Sequence, residues 1–296
     1  MFKGSIVALV TPMQANGQVD YECLKSLVNW HCESGTDAIV ALGTTGESVT
    51  LDESESVKVL ETVISETAKR IPVIAGTGTT STSKSIKLTQ QAETLGANGV
   101  LVVTPYYNKP TQAGMLAHFK AIADSSELPV LLYNVPGRTA VDLLADTVVQ
   151  LASHPRIVGI KEATGDMQRL EDIKQGVDDD FILLSGDDPT FCEFMRLGGH
   201  GVISVTANVA PKQMADIVDL LEAGDLESAE LIDEKIRPLH ETLFVEANPI
   251  PAKWLLNKLG RIPEGIRLPL LPLSVAHHKT VIEAANRALN CSLSDS

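Results

Sequence analysis

Short apolar runs alternate with longer stretches in which apolar residues recur at helical spacing over the first two thirds of the chain. The runs occupy residues 5–10, 37–42, 72–75, 99–103, 129–133, 157–160, 181–185 and 201–204. Brief runs rich in Val, Ile and Leu with few polar interruptions predict strands buried on both faces, as in a parallel sheet. Between them, residues 20–33, 52–70, 81–95, 112–125, 143–152, 167–177 and 189–196 carry an amphipathic pattern that predicts helices. Asp52 and Ser81 stand where N-caps are needed, and Glu55, three residues after Asp52, resembles a capping box. Strand and helix in strict alternation predict an α/β fold, with the strand count of a (β/α)8 TIM barrel. A doubly wound open sheet shares this alternation, because periodicity does not reveal closure.

After residue 208 the pattern changes. Residues 211–259 read as helical with few strand signals, 262–272 are proline-rich, and 275–289 predict a last helix. The expected division is a barrel over 1–224 and a C-terminal helical region over 225–296.

A 296-residue chain with 44% hydrophobic residues is long and apolar enough for a large packed core. Its formal charge of -14, with no cluster of Lys or Arg, disfavours nucleic acid and anionic membrane surfaces as partners. Cys23, Cys32, Cys192 and Cys291 show no CxxC spacing, and the seven histidines form no HExxH. Reduced thiols, no metal and a cytoplasmic location are expected. The apolar run at residues 6–10 is too short for a signal peptide, and no run approaches membrane-spanning length.

Chemistry gathers just after the strands. The run at 157–160 leads into Lys161, and in a barrel the C-terminal ends of strands carry the catalytic side chains. Burial there disfavours the ammonium and can release a nucleophilic amine, whereas snorkelling or pairing with Glu162 would leave it inert. The second strand precedes Gly43-Thr44-Thr45-Gly46-Glu47-Ser48, a turn able to offer N–H and hydroxyl donors to a carboxylate, or simply to cap the next helix. Gly76-Thr77-Gly78 extends to neither GxGxxG nor a Walker lysine, so nucleotide binding is not expected. Three of the four tyrosines, Tyr106, Tyr107 and Tyr133, stand at the ends of the fourth and fifth strands, where phenols can relay protons or merely pack. Arg138, in the loop after the fifth strand, can clamp a carboxylate or form a surface ion pair.

Taken together, GTTGES at 43–48, VTPYYNKP at 103–110, LYNVPGRT at 132–139, GIKEATGD at 159–166, LLSGDD at 183–188, GGHGVISVTANV at 198–209 and NPIPAKW at 248–254 resemble the dihydrodipicolinate synthase family. The resemblance spans nearly the whole chain and lies within the pyruvate-dependent class I aldolase superfamily, which includes N-acetylneuraminate lyase. It implies condensation of pyruvate with L-aspartate 4-semialdehyde, on the route to diaminopimelate and lysine. It further implies that Lys161 forms an imine with pyruvate without any cofactor, and that Thr44, Tyr107 and Tyr133 relay protons, Tyr107 in the neighbouring subunit's site. By the same resemblance the Thr45 backbone receives the pyruvate carboxylate and Arg138 that of the semialdehyde. Gly186 and Ile203 line the pocket, and the assembly is a homotetramer built as a dimer of dimers.

Lysine-inhibited relatives hold the end product at a dimer interface, and the corresponding positions here are Ser48, Val49, Glu53, Ser56, Thr80, Lys84 and Tyr106. Such relatives commonly carry His at the positions of Glu53 and Ser56, Asn at that of Thr80 and Glu at that of Lys84, so this effector site is expected to be impaired. Two alternatives remain. A sialic-acid or keto-deoxy sugar acid lyase would share Lys161, Tyr133 and the GTTGE turn but has no use for Arg138. A non-catalytic keto-acid-binding barrel would be expected to lack a relay residue.

Overall fold

The computed structural model describes residues 2–294. Eight parallel strands close into a barrel in the order β1 to β8, which removes the open sheet as an alternative. The strands are β1 (Gly4–Ala8), β2 (Ala38–Ala41), β3 (Val73–Gly76), β4 (Gly99–Val103), β5 (Val130–Asn134), β6 (Ile157–Glu162), β7 (Ile182–Ser185) and β8 (Gly201–Ser204). The helices are α1 (Tyr21–Glu33), α2 (Glu53–Thr67), α3 (Thr82–Leu95), α4 (Gln112–Ala123), α5 (Pro136–Thr139), α6 (Ala145–Ala152), α7 (Met167–Lys174), α8 (Phe191–Arg196), α9 (Pro211–Glu222), α10 (Leu226–Thr242), α11 (Ile250–Lys258) and α12 (Val275–Leu289). Every expected strand forms. β6 runs through Lys161 and Glu162, so the lysine stands within the strand instead of following it.

One compact unit comprises Pro72–Ile203 with the start of the chain. It holds β3 to β7 and most of β8, and consecutive strands pair in parallel, Leu132 opposite Ile160 and Ile160 opposite Leu183. These residues are fully or almost fully buried, as the runs of consecutive apolar residues require. Met115, Phe119 and Ile122 recur at helical spacing on α4 and are buried completely. Truncating Phe119 to Ala would cost about 3–5 kcal/mol.

The other unit comprises Gly4–Ile71 and Ser204–Ser296. Here β1 pairs in parallel with β2. The Asn208 side chain is fastened to β1: its amide donates to the Ala8 carbonyl (2.8 Å) and its oxygen accepts from the Val10 N–H (3.0 Å). The capping box of α2 is present, with Asp52 Oδ1 accepting from the Glu55 N–H and Glu55 Oε2 accepting from the Asp52 N–H. Ser81 caps α3 in the first unit. Pro238 lies inside α10, where its missing N–H deprives the Glu234 carbonyl of a helical partner. Arg287 on α12 reaches that carbonyl at 3.4 Å, so the two helices share a bond made possible by the proline.

Candidate active site

Alternation along β6 sends Lys161 and Glu162 to opposite faces of the sheet, which excludes the ion pair considered from sequence. The register partner of Lys161 on β5 is Tyr133, and register partners in a sheet share a face. The Lys161 Nζ lies 4.4 Å from the centroid of the Tyr133 ring. Lys161 is only 5% exposed. Burial lowers its pKa to about 8; the Asp188 carboxylate pulls it up, and the Arg138 guanidinium pushes it further down. An amine at this value is partly unprotonated at neutral pH, as a nucleophile must be.

Gly186 follows β7 and makes room for the lysine. A Cβ there would stand 2.8 Å from Lys161 Cε and 2.6 Å from the Ala163 Cβ, so the site tolerates no larger residue. The Gly186 N–H donates to the Glu162 carbonyl at 2.7 Å, holding this backbone against β6. Ile203 is buried at the end of β8. Asp188 is equally buried and biases the charge of Lys161, a part that sequence reading did not assign to it. The paired aspartates of the GDD segment were its only trace.

Arg138 is exposed, and it sits on the one-turn helix α5, not in an irregular loop. Pro136 at the first helical position supplies the fixed φ that starts this turn. A polar cluster fastens the segment on the outer face of β5 and β6. Asn134, next along β5 from Tyr133, donates to Glu162 Oε2 (3.0 Å) and Asp142 Oδ1 (2.9 Å) and accepts from the Leu143 N–H (2.9 Å). Arg169 from α7 grips both oxygens of Asp142, at 2.9 and 2.8 Å. Burial raises the pKa of Glu162, while its bonds from Asn134 and the Thr164 N–H oppose that rise. Asn134 and Glu162 lay within quoted motifs, but nothing in their spacing disclosed the network.

In the other unit, the turn after β2 is held at both ends by non-glycine residues with left-handed backbone, Leu42 at φ 60 and Glu47 at φ 54. The N–H groups of Gly46 and Glu47 bond back to the carbonyls of Gly43 and Thr44, and the Thr45 N–H takes no part in these turn bonds. Thr44 is exposed, Thr45 buried. The Thr45 hydroxyl accepts from Asn248 Nδ2 at 2.9 Å, and Thr11 donates to the Gly46 carbonyl at 2.7 Å. Lys253 pairs with Glu47, both buried.

The remaining expected residues lie on segments of both units. Tyr106 is half-buried, whereas Tyr107 is 92% exposed with a left-handed φ of 71. Asn108 beside it donates to the Thr80 carbonyl at 2.9 Å. Val49 is also strongly exposed, Ser48 and Ser56 are half-buried, and Glu53 and Lys84 are exposed on the first turns of α2 and α3. Among the described residues no three His, Cys, Asp or Glu side chains converge as metal ligands, and no helix is long and apolar enough to cross a membrane.

The structure thus brings Lys161, Tyr133 and Gly186 together in one unit and sets Thr44 and Thr45 on a braced turn in the other. Known proteins resemble this chain over nearly its whole length. A 4-hydroxy-tetrahydrodipicolinate synthase of Pseudomonas savastanoi pv. phaseolicola is 54% identical over 288 residues, 97% of this chain and 99% of that protein. The chloride-inhibited dihydrodipicolinate synthase of Acinetobacter baumannii, crystallised with pyruvate, superposes with a TM-score of 0.96 at 51% identity, covering 97% of this chain and 99% of that one. A monomeric dihydrodipicolinate synthase variant superposes at 0.93 with 45% identity, covering 98% of this chain and 96% of its own. Residues 1–288 match the model of the dihydrodipicolinate synthetase family. By sequence over nearly its full length and by its closed barrel, this chain belongs to that family.

Proposed function

We propose that the chain is a lyase of the class I aldolase type that condenses pyruvate with L-aspartate 4-semialdehyde. The product is 4-hydroxy-2,3,4,5-tetrahydrodipicolinate, at the committed step towards diaminopimelate and lysine. The observation that carries this reading is Lys161: a buried amine whose pKa is drawn down to about 8 beside the Tyr133 ring, in a chain whose relatives bear the synthase name.

The amine attacks C2 of pyruvate, and loss of water leaves a protonated imine. That imine is the electron sink: it acidifies the pyruvate methyl group, whose proton departs to give an enamine. The enamine carbon attacks the aldehyde, and the aldehyde oxygen takes up a proton. The substrate's own amine then displaces Lys161 at the former C2, closing the ring and returning the free lysine. No metal or cofactor is required, since the imine performs the polarisation.

Each step needs proton transfers, for which Thr44, Tyr133 and Tyr107 form the relay. Tyr107 is almost fully exposed and held in a strained backbone, which fits a side chain whose partner is a second copy of the chain. The active unit is accordingly a dimer, and the full assembly a dimer of dimers. The Thr45 backbone receives the pyruvate carboxylate, Arg138 takes the carboxylate of the semialdehyde, and Gly186 and Ile203 shape the pocket. The barrel over 1–224 carries this site and a C-terminal helical region over 225–296 follows it, in a cytoplasmic biosynthetic enzyme. Seven surface positions, Ser48, Val49, Glu53, Ser56, Thr80, Lys84 and Tyr106, make up an impaired effector site.

Reduction of pyruvate-loaded protein with borohydride tests the reading: a permanent adduct on Lys161 is expected. Absence of any adduct would leave a non-catalytic keto-acid-binding barrel. A panel of aldehydes, with sialic acid and keto-deoxy sugar acids assayed for cleavage, then distinguishes the synthase from the sugar lyases.

A further inference from the structure

We infer that the buried Glu47–Lys253 pair is a positioning device for the pyruvate-carboxylate cradle, holding the strained 43–46 turn so that Thr45 faces its ligand correctly. This rests on the proposed function, because it takes Thr45 as the carboxylate site.

The turn does not hold its own shape. Leu42 and Glu47 both adopt left-handed backbone, which is strained for a non-glycine residue and persists only where the surroundings over-determine it. The internal bonds from the Gly46 and Glu47 N–H groups define a tight turn but leave its tilt open. Thr11 fastens the Gly46 carbonyl, and the remaining side-chain constraint comes from residues about 200 positions further along the chain. Lys253, on α11, places its ammonium on Glu47 Oε1, and both side chains are nearly inaccessible, at 4% and 2% exposure. The second oxygen of Glu47 accepts from the Arg267 N–H at 3.3 Å. The Arg267 side chain reaches the Thr50 carbonyl at 2.7 Å and grips Glu55 at 2.7 and 2.5 Å, fixing the far side of the same segment.

Asn248 completes the arrangement at the cradle itself. Its amide donates to the Thr45 hydroxyl, so that oxygen is an acceptor here and its own proton remains to be donated elsewhere. The C-terminal segment therefore sets both the backbone of the turn and the polarity of the Thr45 hydroxyl. A buried ion pair is a poor source of stability, because desolvation offsets most of the attraction. Geometry is what such a pair fixes well.

The test compares Glu47→Gln, Lys253→Met and the double variant with the unaltered enzyme. Pyruvate affinity is read by borohydride trapping at graded pyruvate, and KM for the semialdehyde by steady-state turnover. Each single variant is expected to weaken pyruvate binding by about tenfold or more, as the loss of an oriented contact does, with KM for the semialdehyde within about twofold. The double variant should be no worse than the poorer single one, since both disrupt one contact. Lys253→Arg, which keeps the charge, should recover much of the affinity. Glu47→Gln keeps side-chain volume and an acceptor for Lys253, so it carries the test should Lys253→Met fail to fold. Unchanged pyruvate affinity with only a lowered Tm would overturn the inference and leave a structural staple. Equal losses for both substrates would overturn it as well. Failure of the unaltered protein to trap pyruvate would instead strike the proposed reaction, not this pair.

Discussion

Tyr133 and Lys161 face each other as register partners on β5 and β6, with the amine 4.4 Å from the ring centroid. The lysine of this pair is buried, and burial is what pulls its pKa down. Desolvation drives the amine towards neutrality, and the buried Asp188 carboxylate tempers that by favouring the cation. With a pKa of about 8, roughly one molecule in ten carries a free amine at pH 7, against about one in three thousand for an ordinary lysine. The rate of pyruvate imine formation is therefore expected to rise about tenfold per pH unit below 8 and to level off above it. Stopped-flow or rapid-quench trapping between pH 6 and 9.5 measures this; a rate still climbing steeply at pH 9.5 would mean the amine is an ordinary one.

The same burial has a cost to the fold. A lysine whose folded pKa lies below its unfolded value destabilises the native state at any pH below the folded pKa, and the penalty fades as pH rises towards the unfolded value. From the direction and value at Lys161, the penalty at neutral pH is on the order of 3 kcal/mol. Lys161→Met should therefore abolish the pyruvate adduct and lower turnover by several orders of magnitude, yet raise Tm. Borohydride trapping checks the loss of the adduct, and thermal denaturation at pH 7 and again at pH 10 checks the stability, since the gain should shrink at the higher pH.

Much of this was legible in the sequence because its physical rules are local. The eight apolar runs, the capping box at Asp52 and Lys161 at the end of an apolar run each follow from spacing and residue type. What was not legible depends on contacts between residues far apart in the chain. Nothing in the sequence tells Lys253 that its partner is Glu47, or Asn134 that it will join Glu162 and Asp142. Closure of the barrel is of the same kind. The one-turn helix at Arg138 escaped notice because four residues are too few for a periodic signal.

Arg138 and Asp188 act on Lys161 with opposite signs, and this separates their variants. Removing the guanidinium in Arg138→Ala takes away a charge that lowers the lysine pKa. The acid limb of the pH profile should move up, and KM for the semialdehyde should rise about ten- to a hundredfold, as loss of a charge-assisted contact does. Asp188→Asn removes a charge that raises the pKa, so its acid limb should move down. Profiles of imine formation for the two variants, recorded together, check the signs; shifts in the same direction would contradict the arrangement.

Tyr107 offers a test of assembly. Its exposed ring in a left-handed backbone has a use if it enters the site of a neighbouring copy. Tyr107→Phe and Lys161→Ala proteins should each be nearly inactive alone. Dissociated, mixed and reassociated, they should recover up to about a quarter of native activity, because a randomly formed hybrid dimer holds one intact site. Sedimentation of a fully active monomer would refute the shared site, and the monomeric relative makes this outcome worth measuring.

The last prediction concerns control by the end product. An effector such as L-lysine brings an ammonium that needs a carboxylate or a set of acceptors. Lysine-inhibited relatives resemble this chain at Ser48 and Tyr106 but commonly supply a glutamate where Lys84 stands. Here the first turn of α3 presents a cation instead, and the Lys84 N–H is already engaged by the Ser81 cap. Replacing attraction by repulsion at such a contact costs several kcal/mol, so affinity should fall by at least about a hundredfold. Glu53, exposed at the start of α2, offers a carboxylate from another direction. Millimolar L-lysine is accordingly expected to leave the enzyme largely active, and Lys84→Glu to restore inhibition, more fully with Glu53→His beside it. Dose–response curves on the three proteins measure this. Half-inhibition of the unaltered enzyme below about 1 mM, a binding free energy near 4 kcal/mol, would mean that the effector is held by groups other than these.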